Sequence, residues 1–426
     1  MTQNQQMSRK DFFHRLGNLT AGAAALSLFP WLEGCTAERE RETRGEQARL
    51  GVIGTGSRGM FHLAHLIQDP SARIVALCDD YAPHLDEAAA LFPDARRYSD
   101  YRRLLEDREV DGVVICTPLS LHASMTVEAI RAGKHVFCEK AMAHTQEGLE
   151  QMYRCWKESD RVLMIGQQRH YDPKYIKAME LVHGGAIGQV VGIRNYWYRN
   201  NDWRRPVPSP ELERRINWRL YHEYSCGLMT ELACHQLANG SWAMGGLQPE
   251  GVCGTGSIQY WKDGREVFDN VSVVYQYPNG VHMTFDSIIS NKHFGMGEQI
   301  LGTEGTIDLV RGILYYEKSP AKSGIRQLLE QIEQGVLSNA AFAGTSWATE
   351  DASTDAGIRF ADNVTVNDGA SSVGAAGDGS RELIHAFCLA VISGKQPGQI
   401  VDEAYWATLL ALRGDQASRE RKYLTI

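Results

Sequence analysis

The feature that most constrains this chain lies between residues 50 and 80. Leu50-Gly51-Val52-Ile53 has the unbroken apolar character of a strand buried on both faces of a parallel sheet. It runs directly into Gly54-Thr55-Gly56-Ser57-Arg58-Gly59, after which Met60, Leu63, Ala64 and Ile67 recur at helical spacing. A G-x-G-x-x-G string alone is a weak signal, but between a strand and a helix it marks a dinucleotide cradle. Gly54 permits the tight turn, Gly56 lets a pyrophosphate approach the backbone, and Gly59 lets helix and strand pack closely. Thr55 and Ser57 belong to the same loop. The positive end of the helix faces the phosphates, and Arg58 adds a charge there. A second strand, residues 74–78, ends at Asp79, 20 residues beyond Gly59, where an acid grips the adenosine ribose hydroxyls. A carboxylate at that place repels the extra phosphate of NADP, so the cofactor read from the sequence is NAD. Asp80 is the alternative for the same role.

The remaining length bounds the rest of the architecture. A chain of 426 residues holds two ordinary domains. Hydrophobic residues at 43% and charged residues at 23% give a globular balance, and a net charge of −8 argues against nucleic acid as partner. None of the 9 cysteines forms a Cys-x-x-Cys pair, which removes zinc-knuckle and thioredoxin motifs. Cys78, Cys116 and Cys138 each end an apolar run and are read as packing residues.

Residues 7–35 read as an address. Ser8-Arg9-Lys10-Asp11-Phe12-Phe13 resembles a twin-arginine export motif, and the apolar stretch 19–29 has the length of a signal segment rather than a bilayer span. Leu32-Glu33-Gly34-Cys35 resembles a lipobox, whose Cys35 would carry a lipid anchor. The domain plan is therefore 1–47 export signal and tether, 48–166 nucleotide-binding domain, and 167–426 second domain. The expected location is the periplasm, or the membrane surface as a lipoprotein.

Further along stand Asp111-Gly112-Val113-Val114-Ile115-Cys116-Thr117-Pro118, then His122, then Gly133-Lys134-His135-Val136-Phe137-Cys138-Glu139-Lys140. In combination these motifs resemble the Gfo/Idh/MocA family of sugar-directed NAD(P) enzymes, over residues 48–166 and more loosely to the carboxyl terminus. The resemblance implies that Thr117, Pro118, His122, Glu139 and Lys140 border the nicotinamide. Ala141 stands where the family usually has proline. Lys140 also has a rationale of its own. An ammonium at the carboxyl end of a parallel strand points into the cleft where ligands bind in open α/β sheets, and it can stabilise a developing alkoxide.

The second domain has a different pattern. Val190–Tyr198 and residues 254–260, 271–277 and 281–287 are β-rich or alternating, and Pro278-Asn279-Gly280 is a hairpin signal between the last two. The fold class is thus α/β, a Rossmann domain followed by an α+β domain with a large open, mostly antiparallel sheet. Helices such as Pro173–His183 lie on one side. Residues 318–378 read as an inserted arm, and helical patterns follow around 383–391 and 405–412. In the resembled family this sheet mediates oligomers, so a homo-oligomer is implied.

Glu231-Leu232-Ala233-Cys234-His235 is the chemical centre of this domain. On a helix Glu231 and His235 are i and i+4 and share a face. The resembled family has Asp-x-Gly-x-His here, which implies that Glu231 stands for the aspartate and His235 is the general base toward a sugar hydroxyl. A metal is rejected, because no third ligand stands at a recognisable spacing. Tyr171, Trp218 and Tyr198 are candidates for sugar contact, Tyr198 also for a part in catalysis, since tyrosine joins an aromatic face to a polar tip. Arg169, with His170, lines the cleft.

Three reactions fit such a site. The first is a sugar dehydrogenase, with an exchange of hydride between two sugars as a variant. The second is a redox-neutral glycosidase, in which oxidation at C3 permits elimination, water adds and the hydride returns. The third is a regulatory protein that binds NAD without turnover. Export favours the second, because no ready pool reoxidises NADH outside the cytoplasm. The chain is also similar to the exported NAD-dependent glycosidases of glycoside hydrolase family 109. The expected partner is a carbohydrate or glycoside.

Overall fold

The computed structural model describes residues 46–317, 358–359 and 377–426. The segment at 7–35 with Cys35, and all of 318–378 except residues 358–359 and 377–378, lie outside the described residues.

Six strands form the first sheet: β1 (Ala48–Ile53), β2 (Ala72–Cys78), β3 (Arg96–Tyr98), β4 (Gly112–Ile115), β5 (His135–Cys138) and β6 (Leu163–Ile165). All pair in parallel, in the order β3-β2-β1-β4-β5-β6. This is the Rossmann order, whose reversal between β1 and β4 opens a crevice at the carboxyl ends of the strands. The crossovers are α1 (Ser57–Leu66), α2 (Ala82–Leu91), α3 (Tyr101–Leu105), α4 (Leu119–Arg131) and α5 (Gln146–Lys157). Leu50, Val52, Val113, Val114, Val136 and Phe137 are fully buried between the helix layers. Burial on both faces is why these strands read as continuous apolar runs.

The chain enters its second unit through α6 (Pro173–His183). Asp172 caps this helix by accepting the Lys174 N–H at 2.8 Å, and Pro173 at its first position lacks the N–H that would otherwise be unpaired. Then come β7 (Val190–Tyr198), a π-helical turn at Met229–Ala233 and α7 (Cys234–Ala243). The strands β8 (Gly251–Ser257), β9 (Asn270–Gln276), β10 (His282–Ile288), β11 (Met296–Gly302), β12 (Gly305–Asp308), β13 (Ile313–Tyr316) and β14 (Ile358–Arg359) follow. The chain closes with α8 (Ser380–Ser393), α9 (Ile400–Glu420) and β15 (Leu424–Thr425). The second sheet runs β14-β13-β12-β11-β7-β10-β9-β8-β15. β7 and β10 pair in parallel and the other neighbours antiparallel.

The strand expected at 254–260 starts and ends three residues earlier. Beyond Ser257 the chain leaves the ladder, because the N–H groups of Gln259, Tyr260 and Trp261 each donate at 2.8 Å to the Asp269 carboxylate. The hairpin at 278–280 forms as expected. Tyr277 N–H donates to the Val281 carbonyl at 2.9 Å, and Gly280 takes φ 84°.

The last two helices tie the units together. α8 lays Leu383, Ile384, Phe387 and Cys388 into the core of the first sheet. α9 serves both cores, with Leu409 and Leu412 in the first and Leu410, Ala411 and Ala417 in the second. Between them, Gln396 pairs with both main-chain groups of Leu163 at 2.9 and 2.8 Å, covering the free edge of β6.

Candidate active site

The cradle between β1 and α1 is built by its glycines. Gly54 sits at φ 87° and packs against the Cys116 carbonyl group, which a Cβ would meet at 2.8 Å. A Cβ on Gly59 would lie 2.0 Å from the Gly54 carbonyl oxygen, so this helix–strand approach admits only glycine. Gly56 is different. The nearest atom to its would-be Cβ is on His84 at 3.5 Å, which leaves its outer side open to a pyrophosphate. The group therefore fits the residues present.

Asp79 braces the loop. Its carboxylate accepts the N–H groups of Thr55 at 2.8 Å and Tyr81 at 2.9 Å, with the Thr55 hydroxyl at 3.3 Å. A carboxylate has about four acceptor positions, so capacity remains for a ribose hydroxyl. Asp80, the alternative for that role, is exposed and taken by Arg215 at 2.5 Å.

Arg58 is paired with Glu139. Its Nε donates to Glu139 Oε1 at 2.7 Å, where His62 Nε2 also arrives at 2.7 Å. Burial pushes the Glu139 carboxyl up, but Arg58 and His62 overcome this and hold it well below the usual carboxylate range. Glu139 Oε2 then accepts the Lys140 N–H at 3.1 Å, fixing the start of the turn. Gly166 makes room for this carboxylate, which a Cβ there would meet at 2.8 Å. His62 went unnoticed in the sequence, since a lone histidine on a helix shows no partner.

His122 sits between two acceptors. Nδ1 is 2.8 Å from the Ala141 carbonyl and Nε2 is 3.0 Å from the Thr117 carbonyl. Both contacts are hydrogen bonds only if both nitrogens carry protons. Burial opposes that charge, but Cys138 and the two carbonyls prevail and raise the imidazole to about 9. His122 thus ties the ends of β4 and β5 together, with Pro118 as the cap of α4.

Lys140 and His235 come from different domains. Lys140 Nζ donates to the main-chain carbonyl of Glu231 at 2.7 Å, its one hydrogen bond among the described residues. The Glu231 carboxylate goes instead to Arg219 Nε at 2.9 Å and the Ser225 hydroxyl at 3.1 Å. No hydrogen bond joins it to His235. Met229–Ala233 is a π-helical turn, and the Glu231 carboxylate is held there by Arg219 and Ser225 rather than by His235. His235 is buried, and among the described residues its Nδ1 has no hydrogen-bond partner. Burial, with the charges of Lys140 and Arg169, holds this imidazole well below its ordinary range, so it is neutral.

The remaining candidates divide. Trp197, which the sequence did not single out, has its ring 6.4 Å from that of His235. Its neighbour Tyr198 therefore projects from the opposite face of the sheet, against Tyr196 and Phe294 at 5.9 and 5.6 Å. Strand alternation removes Tyr198 from the catalytic group. Arg169 is likewise not free for substrate. It forms a buried ion pair with Glu298, which also accepts from Tyr175 at 3.1 Å and Asn239 at 2.6 Å. His170 is bound to Glu403 at 2.7 Å. Tyr171 packs on the first core, and Trp218 packs on the second beneath the Arg219 guanidinium at 4.2 Å. Thr117 Oγ1, Gln167 Nε2 and Asn195 Nδ2 are buried without hydrogen-bond partners among the described residues. Among the described residues, no three His, Cys, Asp or Glu side chains gather as a metal would need.

Two family models match the chain. One, an oxidoreductase family with an NAD-binding Rossmann fold, takes residues 48–167, and the GFO/IDH/MocA C-terminal domain takes 175–308. Together they cover more than half of the chain. It belongs to the GFO/IDH/MocA family. The chain is accordingly an NAD-binding oxidoreductase. It is 26% identical to the uncharacterized oxidoreductase YrbE of Bacillus subtilis over 266 residues, 61% of this chain and 73% of that one. It is 31% identical to the inositol 2-dehydrogenase of Salmonella typhimurium over 178 residues, 41% of this chain and 52% of that one. The solved levoglucosan dehydrogenase in complex with NADH and levoglucosan shares the fold, with a TM-score of 0.68 at 20% identity, covering 89% of this chain and 100% of that one.

Two departures from the GFO/IDH/MocA pattern now have a structural setting. The Lys140–Ala141 peptide is cis, although alanine stands at the proline position. Glu231, in place of the family's aspartate, turns its longer side chain to Arg219 while its carbonyl receives Lys140.

Proposed function

We propose that this chain is an NAD-dependent dehydrogenase that oxidises a secondary alcohol of a sugar or cyclic polyol. The observation that carries this is His235, a buried, neutral histidine with an unpartnered ring nitrogen, lying within the field of the Lys140 ammonium. A neutral imidazole accepts a hydroxyl proton, and a depressed basicity keeps it neutral at working pH. Lys140, anchored by one bond to the Glu231 carbonyl, has donors left for the alcohol oxygen as its charge grows. Glu231 and Arg219 position that anchor. When bound, NAD takes the hydride from the carbinol carbon. The ring polyols named in the inositol and levoglucosan dehydrogenases support the substrate class, and they favour the plain dehydrogenase over the glycosidase that export points to.

The redox-neutral alternative rests on one observation, the export-like residues 7–35. Export, and lipidation at Cys35, form part of that second reading. One experiment separates the two. Purified protein is incubated with a panel of cyclic polyols, free sugars and aryl glycosides in deuterated water. NADH that accumulates in proportion to ketone supports the dehydrogenase. Glycoside cleavage with deuterium at C2 and no NADH supports the second reading and overturns the first. If no sugar alters bound NAD, the regulatory class is favoured. In the dehydrogenase, His235→Gln lowers kcat by about 10²–10⁴-fold while NAD binding persists.

A further inference from the structure

The stretch between β7 and the π-helical turn crosses back from the second domain onto the nucleotide cradle. It touches the cradle at two points. Arg205 Nη2 donates to the Ser57 hydroxyl at 3.2 Å, and Arg215 Nη2 binds Asp80 at 2.5 Å with its guanidinium 5.5 Å over the Tyr81 ring. Ser57 is the first residue of α1, directly after Gly56. Asp80 adjoins Asp79. The two contacts therefore bracket the positions read for the pyrophosphate and the adenosine ribose.

This strap is held firmly. The buried Asn217 side chain accepts the Arg205 N–H at 2.7 Å and donates to the Arg205 carbonyl and to Glu213, each at 3.0 Å. Arg204 is paired with Glu213 and Asp263, and Tyr221 donates to Glu213 at 2.8 Å. Residue 205 is thus fixed on both sides of its peptide, which sets the direction in which its side chain leaves.

Arg204, Arg214, Arg215 and Arg219 on this stretch each have a carboxylate partner. Among the described residues, Arg205 has none. Its guanidinium is exposed, within the field of Arg219, and directed at the positive end of a ten-residue helix. Two like-signed ends meet there, an arrangement that becomes favourable when an anion lies between them. The Arg58 charge is paired with Glu139 by its Nε.

We propose that Arg205 is a ligand of the dinucleotide pyrophosphate, supplied by the second domain, and that its strap retards release of NAD. The inference rests on the nucleotide site alone and stands whichever alcohol is oxidised. Its test is dissociation of NADH from the full chain, followed by fluorescence after mixing with excess NAD. Arg205→Gln raises the dissociation rate and Kd about ten-fold or more, the size of one lost charge-assisted bond. Arg205→Lys restores part of the loss, and Arg214→Gln on the same strap changes nothing. Adenosine, which lacks phosphate, binds the parent and Arg205→Gln equally by NMR titration. Unchanged NADH release in Arg205→Gln overturns the proposal. So does an equal loss of adenosine and NADH binding, which marks a displaced strap rather than a lost phosphate contact.

Discussion

Lys140 Nζ meets the main-chain carbonyl of Glu231, and Arg219 meets that residue's carboxylate. The two charges flanking Glu231 are thus held by different atoms, and a substitution can address one without the other. Glu231→Gln leaves the carbonyl in place, so Lys140 keeps its anchor. Lys140→Met removes the donor itself. In steady-state kinetics Lys140→Met lowers kcat by about 10²–10³-fold, and Glu231→Gln by clearly less. Equal losses would show that the carboxylate, not the carbonyl, matters to the reaction.

The pH profile follows from His235. Burial first, then the Lys140 and Arg169 charges, lower its proton affinity well below that of a free histidine. It is therefore deprotonated throughout the neutral range and takes up a proton only in acid. The acidic limb of kcat/KM lies below the ordinary histidine value of about 6.5. Removing one of the depressing charges shifts the titration upward, so the His235 ring signal in Lys140→Met titrates at higher pH than in the parent. A shift downward, or none, would contradict the assignment.

The glycines of the cradle separate folding from binding. At Gly56 the nearest atom to an added methyl is 3.5 Å away, so Gly56→Ala leaves the Tm of the cofactor-free protein nearly unchanged. The methyl occupies the pyrophosphate approach, and NAD affinity falls. At Gly59 the methyl would meet the Gly54 carbonyl at 2.0 Å, so Gly59→Ala lowers stability itself, by about 1–3 kcal/mol or more. Thermal denaturation with and without NAD distinguishes the two.

Phe387 lies 5.7 Å, ring to ring, from Phe137 in β5, and both are fully buried. Phe387→Ala is expected to cost about 3–5 kcal/mol in denaturant unfolding. The loss falls on the nucleotide domain, although the residue lies some 250 positions downstream. NAD-dependent stabilisation that survived unchanged in this variant would show that α8 is dispensable to that domain.

What could be read from the sequence was local. The run from Leu50 to Gly59 carries strand, turn and helix in consecutive residues, and Pro173–His183 carries its own cap. The failures are cases in which a distant group outcompetes a local pattern. Arg58 is taken by Glu139, 81 residues on, and Arg169 by Glu298, 129 residues on. Tyr198 is separated from His235 by strand alternation, a one-residue difference that composition does not reveal. Glu231 is drawn to Arg219 and Ser225 rather than to His235. Trp197, Arg219 and His62 had no signal at all, since each acquires its partner only through the fold.

The nucleotide domain is encoded early in the chain, yet α8 and α9 complete its core from the last fifty residues. A ribosome that has finished residue 166 has made every strand of the Rossmann sheet but not the helix that covers β1. The core of that sheet is thus complete only once residues 380–412 have been made. A short truncation at the carboxyl terminus would accordingly present as a cofactor-binding defect, far in sequence from any glycine of the cradle.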